Sequence, residues 1–229
     1  MFGVLVNVAT VIIGSLVGLL LKKGIPEKVC NAVMMGLGVC TVYIGISGSL
    51  CGGNVLIVIA SVVLGAICGT MLDIDGAINH LAQKVERKFH REGQQISLAE
   101  GMVTATLLFC VGSMTVTGSI QAGLTGDHSI LVTKAMLDLV SSMMLAASLG
   151  AGVLLSAMCV LVIQGGLVLL SGWIAPFLSA GAVNEMTCVG SLLIILIGTN
   201  LMGITKCKVA DYLPAILLAP ILYNITTLF

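Results

Sequence analysis

Lys134 and Asp138 stand four residues apart inside an apolar run, so on a helix they share one face, which Ser141 or Ser142 continues one turn on. Charges within a lipid-spanning stretch are expensive and face a bundle interior or water, where pairing offsets part of the desolvation. Such a pair can gate or coordinate an ion, or exchange a proton. It can equally interlock two helices near the outer interface with Lys134 snorkelling. Just before it, Cys110-Val-Gly-Ser-Met-Thr-Val-Thr-Gly-Ser-Ile-Gln121 sets Ser113, Thr117 and Gln121 at intervals of four, with Ser119 between them. Gly112 and Gly118 weaken the same helix, and a glycine-broken membrane helix frees backbone groups to bind a solute where it lines a cavity. Asn7, Gln164 beside Gly165-Gly166, and Asn200 are further buried polar candidates. Each alone reads as an interhelical tie; together they meet the Ser113 face if their helices surround it.

This donor set is weakly charged. Hydroxyls, amides and backbone carbonyls suit a monovalent cation or a small neutral solute, whereas a hard divalent ion calls for more carboxylates than one aspartate. An enzyme is not expected: no histidine lies in a predicted span, and Cys110 or Ser113 has Lys134 alone as a basic partner, which leaves only a Ser–Lys arrangement. The eight cysteines are scattered singly without Cys-x-x-Cys, so neither disulfides nor a zinc or iron–sulfur centre is expected. His80 and His90 are not paired with other ligand types. The sequence therefore predicts no metal, no cofactor and no nucleic-acid partner.

The elements that must position these residues are membrane helices. The chain is 58% hydrophobic and 9% charged, with mean hydropathy +1.17, against roughly 25% charged residues in an average soluble domain. A span takes about 20 apolar residues, and eight such segments are predicted at 3–21, 33–50, 54–72, 101–120, 131–149, 153–174, 187–204 and 211–228. The expectation is an all-α polytopic membrane helix bundle forming one transmembrane domain over residues 1–229. Basic loops at Lys22, Lys23 and Lys28, at Lys84, Arg87, Lys88 and Arg91, and at Lys206 and Lys208 fall on the cytoplasmic face together only if the fifth segment crosses. Both termini are then outside the cytoplasm. Loops around Cys51-Gly-Gly-Asn54, Gly126-Asp127-His128 and Asn184-Glu185 lack Lys and Arg, as outer loops should. The first segment has its positive charges after the apolar run, which suits a retained helix rather than a signal sequence. Within the longest polar stretch, Ile78, Leu81, Val85 and Phe89 predict an amphipathic cytoplasmic helix over 77–92, resting on lipid headgroups.

A repeated hairpin is faintly visible. Gly14-Ser-Leu-Val-Gly18 and Gly65-Ala-Ile-Cys-Gly69 are each followed by a leucine and charges, and Cys40 with Gly48-Ser-Leu50 matches Cys110 with Gly118-Ser-Ile120. Gly-x-x-x-Gly lets helix backbones approach closely, so Gly14, Gly18, Gly65 and Gly69 are predicted packing positions. The same small-residue faces support a homo-oligomer, or a membrane scaffold that transports nothing.

From Cys110 to Gly166 most specifically, and over nearly the whole chain, the sequence resembles the YqgA-like family of bacterial inner-membrane proteins. The resemblance rests on Cys-Val-Gly-x-Met at 110–114, Gly-Ser-Ile-Gln at 118–121, Gly-Leu-Thr-Gly-Asp at 123–127, Lys134 with Leu137-Asp138, and Gln164-Gly-Gly, with Lys23-Gly-Ile-Pro-Glu27 earlier in the chain. It implies a bacterial plasma membrane protein of loosely described transport character, and carries over no substrate and no functional residue. The sequence reading is thus a transporter or channel for a small solute or ion, with lipid around it.

Overall fold

The computed structural model describes residues 1–22, 27–80 and 98–228. The described residues are helical and contain no strand. In chain order the helices are α1 (Phe2–Lys22), α2 (Glu27–Ser49), α3 (Val55–Met71), α4 (Ile74–His80), α5 (Leu98–Cys110), α6 (Ser113–Leu124), α7 (Ser129–Leu149), α8 (Gly152–Leu169), α9 (Ser171–Ile174), α10 (Ala180–Leu201) and α11 (Leu213–Leu228), with 3-10 turns at Ala175–Phe177 and Val209–Tyr212. The predicted amphipathic helix over 77–92 begins inside α4, and its remainder from 81 lies outside the described residues.

Among the described residues, five segments are long and apolar enough to cross a membrane: Phe2–Leu21, Ser129–Leu149, Gly152–Leu169, Ala180–Leu201 and Val209–Thr227. Two bent pairs raise the number to seven if each is one span: α3 with α4, bent by 51°, and α5 with Met114–Leu124, bent by 61°. The second predicted segment contributes the shorter apolar helix Met35–Ser49. Length and composition thus give five to seven spans against the eight expected. Two segments are interrupted, at Leu72–Asp73 and at Val111–Gly112, so neither is one straight rod. The seventh predicted segment, 187–204, leaves Asn184 and Glu185 in a loop. The helix begins at Ala180, where the Ser179 side chain accepts from the Ala182 N–H at 3.3 Å. A hydropathy reading stops at the Asn-Glu pair, whereas the Ser179 cap starts the helix earlier.

The helices form two compact units. The first contains α1, the start of α2 up to Val33, α4 from Ile78, α5, α6 from Met114, α7, α8 and α9 up to Trp173. Its main contact runs along α1 and α7. Gly3 lies beside His128 and Leu131, Gly14 beside Leu139 and Ser142, and Gly18 beside Met143 and Ala146, so the two helices run parallel. A Cβ at Gly14 or Gly18 would overlap a backbone carbonyl of α7. The turn from α7 to α8 passes through Gly150, whose φ of 83° is open chiefly to glycine. The second unit contains α2 from Met34, α3, Val111–Ser113, α10 and α11. Here α3 runs antiparallel to the chain that opens α11, with Gly65 against Ala215 and Gly69 against the Asp211 carbonyl. Helix α2 runs antiparallel to α10: Gly38 meets Gly198 and Met202, Gly45 meets Ser191 and Ile195, and Gly52 beyond the helix end meets Cys188. Val111, from the break before α6, packs on Gly190 of α10.

Both units expose large apolar side chains, among them Leu20, Tyr43, Leu56, Met158, Val162 and Leu217, each about 70% exposed. Their buried positions are rich in Gly, Ala and Ser instead. In lipid this inversion is the stable arrangement, because apolar side chains gain nothing by leaving hydrocarbon while small residues gain close backbone packing.

Candidate functional site

Four helices of the first unit each bring polar side chains to its interior. Lys134 and Asp138 on α7 form an ion pair whose side chains are only 6% and 8% exposed. Their four-residue spacing places them one turn apart, and burial removes the water that would otherwise screen them. The Lys134 ammonium also lies 5.9 Å from the ring centroid of Phe109 on α5, within reach of a cation–π attraction. Cys110, next along α5, is buried and close enough to feel the charges of both Lys134 and Asp138, and Cys159 of α8 is a further neighbour.

Asn7 on α1 and Gln164 on α8 complete the group. Both are fully buried, and the Asn7 Nδ2 donates to Gln164 Oε1 at 3.2 Å. The Asn7 side chain also reaches the Asp138 carboxylate. One carbonyl oxygen, Asn7 Oδ1, and one amide nitrogen, Gln164 Nε2, have no protein partner. A buried amide group left unpaired costs about 1–3 kcal/mol, so the constellation holds spare donor and acceptor capacity next to its charges. Ser15 and Ser119 hydroxyls are likewise buried in this unit without a partner.

The structure thus brings Asn7, Cys110, Lys134, Asp138 and Gln164 together. The other candidates go elsewhere. The Ser142 hydroxyl is buried but bonds its own turn, donating to Leu139 O at 3.0 Å, and it fills the space beside Gly14. Thr117 is exposed and Ser119 buried, so the hydroxyls of α6 divide between two faces. Ser113 is the first residue of α6. Gln121 lies at the other end of α6, where its Nε2 donates to Asp127 Oδ2 at 2.8 Å in an exposed turn. Asn200 belongs to the second unit and closes the turn after α10: its Nδ2 donates to Cys207 O at 2.8 Å, and its Oδ1 accepts from Thr205 Oγ1 at 2.7 Å and from the Cys207 N–H at 3.0 Å. Its capacity is spent on backbone closure.

Asp127 opens α7 through Ser129. Hydrogen bonds from the Ser129 hydroxyl and then its N–H, with help from Gln121, hold the Asp127 carboxyl below the usual carboxylate range.

Sequence reasoning missed Glu185. It sits in the second turn of α10, is 2% exposed, and its Oε1 accepts from the N–H groups of Gly53 and Asn54 at 2.7 and 2.8 Å. Two glycines at the tip between α2 and α3 let the backbone come this close. The signal for it was present: a carboxylate without a basic neighbour, and a Gly-Gly-Asn tip offering bare N–H groups. Among the described residues no group of three or more His, Cys, Asp or Glu is arranged to hold a metal ion.

The model of the family described as "Protein of unknown function (DUF554)" matches residues 2–224. The chain is 32% identical over 225 residues to the uncharacterized membrane protein YdfK of Bacillus subtilis (strain 168), covering 96% of this chain and 95% of that protein. It is 29% identical over 220 residues to the uncharacterized protein YqgA of Escherichia coli (strain K12), covering 95% and 94%. No solved structure matches the chain significantly. With its apolar helices, small-residue contacts and near full-length family match, the chain is a helical membrane protein and belongs to the DUF554 family.

Proposed function

We propose that the chain is a transporter or channel for a small solute or ion, with its binding step in the first unit among α1, α5, α7 and α8. The observation that carries this reading is the buried Lys134–Asp138 pair beside the Asn7–Gln164 amides, two of whose polar atoms are unspent. Unspent polar atoms beside a buried charge pair support a ligand site, because a ligand replaces its own hydration shell with those groups. One carboxylate, neutralised by one ammonium, suits a monovalent cation, a proton or a small neutral solute.

The membrane is the plasma membrane of a bacterium, with both termini outside the cytoplasm. The reading rests on the basic loops, at Lys22, Lys23 and Lys28, at Lys84, Arg87, Lys88 and Arg91, and at Lys206 and Lys208, being cytoplasmic; the parallel course of α1 and α7 agrees with the three predicted segments between them. A scaffold reading drew on the glycine faces, but Gly14, Gly18, Gly65 and Gly69 are covered by helices of the same chain. Catalysis is not part of the proposal, because Lys134 is engaged with Asp138 instead of activating Cys110.

The test is flux into liposomes containing the purified protein, run across a panel of monovalent cations, protons and small neutral solutes. The expected result is entry of at least one of them above protein-free liposomes, and its loss in Asn7→Leu/Gln164→Leu. A folded wild-type protein that moves none of the panel, or an unchanged flux in the double variant, overturns the reading.

A further inference from the structure

We infer that Cys51 and Cys188 form a reversible dithiol–disulfide pair at the end of the second unit, a modification site independent of the transport reading. Cys51 is exposed in the turn after α2, and Cys188 is buried on α10. Both thiols end on the same stretch of backbone: Cys51 Sγ donates to Gly48 O at 2.8 Å, and Cys188 Sγ donates to Ser49 O at 3.0 Å. Cys51 Sγ also reaches Asn184 O at 3.4 Å, one helical turn before Cys188. The residue after Cys51 is Gly52, and a Cβ built there would lie 2.8 Å from Cys188 Sγ and 3.0 Å from Cys188 Cβ. Glycine at 52 therefore lets this tip settle directly onto the buried thiol.

What holds the tip there is Glu185. Its carboxylate accepts from Gly53 and Asn54, the two residues after Gly52, and so clamps the turn to the same face of α10 that carries Cys188. The arrangement has an entry thiol open to reagents, a resolving thiol beneath it, and a fixed approach between them. An exposed thiol beside a buried one is the arrangement in which a mixed disulfide can be resolved within the chain, whereas the remaining cysteines described, at 40, 68, 110, 159 and 207, show no thiol-to-backbone bond shared with another cysteine's turn.

The oxidant is a small-molecule or protein disulfide, R–S–S–R. The Cys51 thiolate attacks one of its sulfurs, an S–S bond breaks, and R–S⁻ leaves and takes up the proton released from Cys51, giving Cys51–S–S–R. The Cys188 thiolate then attacks Cys51 Sγ and expels the second R–S⁻, which takes up the Cys188 proton. Two protein thiols are oxidised, one disulfide is reduced to two thiols, and the reverse sequence with excess thiol restores the pair. The new covalent bond joins the α2–α3 turn to α10, where the reduced form has only hydrogen bonds, those of Glu185 and of the two thiols.

The experiment equilibrates the purified full chain in detergent with mixtures of oxidised and reduced glutathione, traps free thiols with a maleimide after denaturation, and weighs the product. Eight cysteines are present. The expected result is a cooperative fall from eight adducts to six, with a linked peptide joining residues 51 and 188 on digestion. Cys188→Ser should stop at Cys51 carrying glutathione, and Cys51→Ser should keep all its remaining thiols over the same range. Glu185→Gln should shift the wild-type product from the internal disulfide toward the glutathione adduct by severalfold. A wild-type chain that stops at the glutathione adduct, keeps eight free thiols at every ratio, or links other cysteines overturns the inference.

Discussion

Replacing Asp138 by Asn separates the energetic role of the ion pair from its use. In the wild type the Lys134 side chain is 6% exposed and its ammonium faces the Asp138 carboxylate and the Phe109 ring. Removing the countercharge leaves a buried cation with an amide and one aromatic face, worth about 0.5–2 kcal/mol at most. Breaking a buried pair from one side costs about 3–5 kcal/mol. The lower end applies here, because in lipid the unfolded helices keep partners of their own. A loss of about 3 kcal/mol corresponds to roughly a hundredfold in the folded ratio. For a chain of this size it lowers the thermal midpoint by about 6–12 °C, at roughly 2–4 °C per kcal/mol. The double variant Lys134→Met/Asp138→Leu removes both charges at similar volume and should return to within about 1 kcal/mol of wild type, or exceed it. Thermal unfolding in detergent reads these shifts, and liposome flux reads the function. The pathway proposal expects the double variant to be stable and inactive. A stable double variant with wild-type flux refutes the pathway role, and an Asp138→Asn melt unchanged from wild type refutes the electrostatic argument itself.

Gly69→Ala should prevent folding, since the new methyl would overlap the rigid Asp211 carbonyl, whereas Gly36→Ala, with nothing within 4 Å, should be neutral or up to about 1 kcal/mol stabilising; detergent-resistant folded yield distinguishes the two. The Cys51 thiol is pushed above its ordinary value of 9.0, first by burial and also by the facing Glu185 carboxylate. Its alkylation by iodoacetamide should therefore be slower than that of a free thiol at pH 8, with a rate midpoint above 9.0 that falls in Glu185→Gln. Asp127, by contrast, titrates below its ordinary 3.8. The turn before α7 should be fully held above that pH and loosen only as pH falls through the lower folded value. Hydrogen exchange at Ser129 measured between pH 2 and 6 checks the direction, and loosening that begins near pH 5 contradicts it.

How much of this was legible beforehand differs from residue to residue. The apolar segments announced helices because backbone groups in lipid must bond internally, and the glycines of the fourth segment announced its interruption at Val111–Gly112. The pairing of Lys134 with Asp138 followed from spacing along one helix. That Asn7 and Gln164 join them did not, since periodicity assigns a residue to a face of its own helix and says nothing about which helix it meets. Gln121 and Asn200 were misjudged for a related reason: polar groups near helix ends are in demand for closing turns, and local closure took them first. Glu185 was hidden because a lone acidic residue beside an Asn lowers hydropathy and mimics a loop, although two backbone N–H groups satisfy it in the folded chain.

The side-by-side course of α1 and α7 has a bearing on how the protein is made. Helix α1 leaves the ribosome first, yet the stretch it must embrace is translated more than a hundred residues later, after the whole α2–α6 region has been synthesised. Until then its Gly14 and Gly18 notch lies bare in the bilayer. Nascent chains stopped before residue 129 therefore lack the surface that fills this notch in the folded protein.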